Sequence, residues 1–123
     1  MSDQFTAHRT DDVLHLRWAL GVEITHPLAV EAAHLLAALG EGEILPLVVV
    51  MGGIDGLTLK ARMGMNAYRG FARVALIGDG PVDEVLAGFA SGSATETRYF
   101  TSEEQALAWI QDAALDRREE SAA

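Results

Sequence analysis

The chain has no cysteine among its 123 residues. That excludes disulfides, thiolate metal sites and a cysteine nucleophile, and it suits a reducing compartment. Long apolar runs are also missing. Segments such as Leu47–Met51 fall far short of the roughly 20 apolar residues a membrane-spanning helix needs. The opening Met1-Ser2-Asp3-Gln4 has neither the basic region nor the apolar core of a secretory leader, so the expected location is the cytoplasm. Positive charge is scarce, with 9 Lys and Arg against 18 Asp and Glu and a net charge of −9. Such a field repels nucleic acid and anionic membrane surfaces, so neither is an expected partner.

What remains is an ordinary globular composition, half hydrophobic. The length predicts a single domain over residues 1–123, with an ordered core at about 4–115. A chain of this size buries roughly two-thirds of its unfolded surface and needs no metal or disulfide to hold it.

Hydrophobic periodicity supplies the elements. Phe5 to His8 and then Leu14, Leu16, Trp18 and Leu20 alternate with period two around Asp11-Asp12, which predicts an antiparallel hairpin with one core-facing side. Thr25 as N-cap, Pro27 in the first turn and the stripe Leu28, Ala32, Leu35, Leu36, Leu39 predict an amphipathic helix that stops at Gly40 and Gly42. Leu45 to Met51 reads as a buried parallel strand whose regular pairing starts after Pro46. Leu59, Met63 and Ala67 predict a second helix, weakened by Gly64. Phe71 to Ile77 is a further strand. A third helix enters through Pro81 with the stripe Val82, Val85, Leu86, Phe89. A more polar edge strand covers Thr95 to Phe100, and a last helix opens on a Thr101/Glu104 capping box with Ala106, Leu107, Ile110 and Ala114 inward. The order is β-β-α-β-α-β-α-β-α, an α/β fold with a mixed sheet, right-handed crossovers and helices covering the sheet.

Catalytic motifs are hard to find. His8 and His15 can meet across the hairpin, while His26 and His34 lie about two helical turns apart, beyond ligand-pairing distance. Neither H-E-x-x-H nor G-x-S-x-G occurs, and Ser91 and Ser93 sit in a Gly-containing loop rather than a strand-to-helix elbow. Asp79 and Asp83 flank a helix start, where they favour the dipole. The glycines at 52–53 and 78–80 precede helices but match no phosphate-binding loop, and the second carries an acid where a phosphate would sit. No metal, cofactor or catalytic residue is expected.

Two features point to binding instead. Lys60, Arg62, Arg69 and Arg73 concentrate basic charge in an acidic chain, either as a solvated helix face or as a dock for an acidic partner. Met51, Met63 and Met65, near Leu57, Leu59 and Tyr68, supply adaptable apolar surface, suited to core filling, an interface or a lipid-like ligand.

The element order, with Val74-Ala75-Leu76-Ile77-Gly78-Asp79 before a helix and Arg98-Tyr99-Phe100 before Glu104 to Ile110, resembles the STAS (anti-anti-sigma, SpoIIAA-like) family and the bacterial lipid-carrier-like proteins that share its architecture. The resemblance spans about residues 4–115. It implies a non-catalytic protein-interaction or regulatory module. Anti-anti-sigma factors carry an Asp-Ser pair at the start of the helix after the central strand, and a kinase phosphorylates the serine. Here Asp55 matches the aspartate, but Gly56 takes the serine position and cannot hold a phosphate. Thr58 is the nearby hydroxyl, better suited to an N-cap. The expected interaction surface is Asp55, Gly56, Thr58, Lys60, Arg62 and Met63. The expected partner is a protein or a second copy of the chain, with a small apolar ligand as the alternative.

Overall fold

A computed structural model describes residues 4–88 and 93–122, without the side chains of 82, 83, 86 and 113–122. The strands are β1 (Phe5–Thr10), β2 (Val13–Trp18), β3 (Glu23–Ile24), β4 (Leu45–Val50), β5 (Gly56–Leu57), β6 (Phe71–Ile77) and β7 (Thr97–Phe100). The helices are α1 (His26–Gly40), α2 (Leu59–Ala67), α3 (Pro81–Gly88) and α4 (Glu103–Ala122). Five strands form one sheet in the order β1-β2-β4-β6-β7. The hairpin β1–β2 is antiparallel and the remaining pairs are parallel. From β2 onward each strand joins the same side of the sheet. Right-handed crossovers therefore send the intervening helices to one face, and α4, after the last strand, covers the other. The expected α/β order holds. The sequence reading did not contain the two-residue strands β3 and β5, which pair with each other in a small parallel ribbon.

Strand alternation divides the core. Leu14, Leu16, Trp18, Leu47, Val49 and Met51 pack toward α1 and α2 with Leu28, Ala32, Leu36 and Ala61. Val48, Ala75 and Ile77 pack toward α4 against Ala106 and Ile110. Pairing steps from Leu45↔Phe71 to Leu47↔Val74, so β6 carries one extra residue there. This bulge puts Phe71 and Val74 against the same cluster and sends Arg73 to the α4 face.

Several expectations shift. Leu20 lies beyond the strand and is 84% exposed, because Gly21 at φ +75° turns the chain and its N–H donates to Gly53 O. Leu35 is exposed at the edge of the α1 stripe. Helix α1 stops at Gly40 as expected, and the left-handed residue that follows it is Glu41. Thr95 leaves the strand because its hydroxyl donates to Tyr68 O at 2.8 Å. The cap of α4 falls at Ser102, whose Oγ accepts from Gln105 N–H, rather than at Thr101. On α2, Leu59 and Met63 point to solvent and Ala61 is the buried residue. The expected α3 and α4 positions Val82, Leu86, Phe89 and Ala114, with Asp83 and Ser91, lie outside the described side chains or residues.

Candidate functional site: an apolar cavity under α1 and α2

The helix that faces the sheet from 59 to 67 brings little bulk to it. Ala61 is buried and Gly64 has no side chain, while Leu59 and Met63 are each 62% exposed. Opposite them the sheet presents Leu16, Val49, Phe71 and Leu76. A cavity of about 220 Å³ remains between the sheet and the two helices. Its wall is overwhelmingly apolar. Among its lining residues, Val30 of α1 and Met65 of α2 reach solvent, which puts the mouth between these two helices.

The polar groups of the wall are few and structured. Ser93 Oγ accepts from Thr95 N–H, Thr95 Oγ donates to Tyr68 O, and Thr97 Oγ donates to Thr95 O. Ala94 N–H donates to Asn66 O at 2.7 Å. This strap ties the chain before β7 to the end of α2 and closes one end of the cavity. His26, at the start of α1, occupies the notch at Gly64: a Cβ there would lie 3.2 Å from His26 Cδ2. The glycine that weakens α2 in isolation thus permits its close approach to α1. His26 and Arg62 are the cavity's cationic or titratable nitrogen-bearing side chains, and among the described residues no Asp or Glu lines it.

The candidate surface residues other than Arg62 lie outside the cavity lining. Asp55 is exposed, and its N–H donates to Val22 O. Gly56 pairs with Glu23 in the ribbon β3–β5. Thr58 is the N-cap of α2, its Oγ accepting from Ala61 N–H at 3.2 Å. Lys60 and Met63 are exposed, and Arg62 is half-buried at the cavity. The methionines divide: Met51 and Met65 line the cavity and Met63 does not. The basic cluster divides too. Arg73 lies on the α4 face, bonded to Trp109 O at 3.0 Å and paired with Glu96 at 3.1 Å. Sequence reasoning did not mark His26, Asn66 or Thr95 as members of this site. His26 had no partner spacing to single it out, and the other two arrive by a long-range strap that leaves no local pattern.

On the α4 face, the expected meeting of His8 and His15 occurs. Their rings stack at 4.5 Å with an interplanar angle of 1°. Burial pulls His15 below its usual 6.5, the neighbouring His8 adds to the effect, and Glu103 opposes it. Among the described residues no group of three or more His, Cys, Asp or Glu side chains could hold a metal ion. No helix there is long and apolar enough to cross a membrane.

No curated protein matches the chain. Among solved structures, the fold is similar to the crystal structure of an uncharacterized protein of the DUF3478 family, with a SpoIIAA-like fold, from Shewanella loihica PV-4. The TM-score is 0.62 and the identity 25%, over 86% of this chain and 91% of that one. The STAS-type resemblance of the sequence is therefore matched by a SpoIIAA-like architecture. Residues 7–114 fit the model of a domain of unknown function, DUF7793, and the chain belongs to that family.

Proposed function

We propose that the chain is a non-catalytic regulatory module of the cytoplasm, a single domain over residues 1–123. It binds a small apolar or amphipathic ligand between sheet and helices and presents the outer side of α2 to a protein partner. One observation carries the reading: the 220 Å³ apolar cavity and the candidate interaction surface share a wall. Ala61, Arg62 and Met65 line the inside of α2, and Leu59, Lys60 and Met63 stand on its outside. Occupancy of the cavity acts directly on the packing of that helix, which is how a ligand biases a surface. The volume exceeds the roughly 150 Å³ at which a dry apolar cavity already takes up benzene. Gly56 at the serine position and Thr58 engaged as a cap favour control by ligand over control by a serine phosphoswitch.

Native mass spectrometry of the freshly purified chain, beside an Ala33→Phe variant that obstructs the lined space, tests the reading. A small molecule carried by the wild type and absent from the variant is expected. Equal apo masses from both, with no apolar ligand taken up on addition, would count against it.

The exposed pair Leu59 and Met63, one helical turn apart, favours a second element of the reading: a homodimer through α2. Size-exclusion chromatography with light scattering is expected to show a dimer that Met63→Glu dissociates. A strict monomer at high concentration removes this element and leaves the cavity reading standing.

A further inference from the structure

The charge around the cavity departs from the charge of the molecule. Acidic residues outnumber basic ones 18 to 9 over the chain. Along the cavity wall the described residues include Arg62 and His26 and no carboxylate. A site built for a cationic amphiphile would place an acid beside the apolar wall. This site places a guanidinium-bearing residue and an imidazole there, on the two helices that frame the mouth. Arg62, half-buried on α2, is the guanidinium of that wall.

Size narrows the ligand further. Scaling from benzene in a cavity of about 150 Å³, the 220 Å³ here holds roughly eight or nine carbons. We infer that the ligand is a medium-chain carboxylate, with its hydrocarbon chain against Leu16, Val49 and Leu76 and its carboxylate toward Arg62. The inference rests on the cavity reading above and adds the head-group chemistry and the length. Arginine suits the head because its planar fork matches a carboxylate, and the pairing gains strength in a partly desolvated site.

The test is isothermal titration of the full chain with octanoate, 1-octanol and octylamine at pH 7.5, repeated with Arg62→Gln. Octanoate is expected to bind at least tenfold more tightly than octylamine and more tightly than octanol. Arg62→Gln is expected to weaken octanoate about tenfold, the scale of one charge-assisted hydrogen bond, and to leave octanol unchanged. Octanol or octylamine binding as well as octanoate, with Arg62→Gln silent, would overturn the head-group assignment while the apolar cavity reading survives. No binding by any of the three, with the variants folded by circular dichroism, would overturn both. A decanoate-to-butanoate series sets the length: an optimum at butanoate overturns the size argument.

Discussion

The two faces of one sheet are packed by different means. Toward α4, small strand residues such as Ala75 meet a long helix seated by Ala106 and Ile110, all fully buried. Trp109 closes that face: Arg73 lies 4.4 Å and Arg98 5.1 Å from its ring centroid, and Phe100 tilts against it at 5.7 Å. Toward α1 and α2 the strand residues are large, yet packing is incomplete, because the short helix α2 turns only Ala61 inward, meets His26 of α1 at Gly64 and sends Leu59 and Met63 outward. A close-packed face cannot accept a guest without strain, whereas a face with missing side-chain volume can. The location of the cavity is thus a consequence of which α2 residues face the sheet.

The largest expected effect lies on the packed face. Trp109→Ala removes the ring that both arginines and Phe100 contact and should cost about 3 kcal/mol in urea denaturation. A loss below about 1 kcal/mol would mean that α4 is held by its aliphatic residues alone. Next, the same enlargement made on each face should diverge. Ala75→Leu overpacks the α4 face and should destabilise by about 2 kcal/mol. Ala61→Leu grows into the cavity and should stay within about 1 kcal/mol of wild type while excluding ligand. Equal costs at the two sites would erase the contrast between the faces.

A smaller effect tests the helix contact. Gly64→Ala would ordinarily gain about 1 kcal/mol of helix stability. Here the added methyl meets the His26 ring at 3.2 Å, so the gain should be lost. It should return in a His26→Ala background, as a double-mutant cycle would show. A full gain with His26 present would mean that the ring does not hold α2 in place.

The smallest effect is the pH response of the α4 face. His15 titrates near 6.5 when unfolded and lower when folded, chiefly through burial. Between those values the unfolded chain binds more protons. The His15 contribution is therefore complete above about 6.5 and is lost as the pH falls through the folded value. Denaturation midpoints should decline as the pH falls from about 6.5 toward the lower folded value, and His15→Gln should flatten the decline. An unchanged slope would assign the acid sensitivity elsewhere.

Much of this architecture can be read in the sequence, because most elements obey local periodicity. The β2 alternation Leu14, Leu16, Trp18 and the α1 stripe Leu28, Ala32, Leu36 end up buried as expected. The helix entries at Thr25 and Thr58 are capped by those hydroxyls. Reading fails where a tertiary contact decides. The spacing of Leu59 and Met63 predicts a helix but not which side of it faces the sheet, and the opposing sheet and His26 at Gly64 settle that. The β3–β5 ribbon joins two dipeptides too short to show any period. Arg73 looks like part of a basic helix face because its neighbours in sequence are basic, and a one-residue bulge carries it to the other side of the molecule. A cavity is a deficit of volume between distant segments, and no motif encodes a deficit. The methionines hinted at adaptable surface; the wall itself needed the fold.

The most direct test of the ligand-binding face is a methyl-resolved NMR titration of the full chain with octanoate. Saturable shifts are predicted at Leu16, Val49 and Leu76, which line the cavity, while Ile77 and Ile110 on the α4 face stay still. Shifts centred on Ile77 and Ile110, or none up to millimolar octanoate, would contradict it.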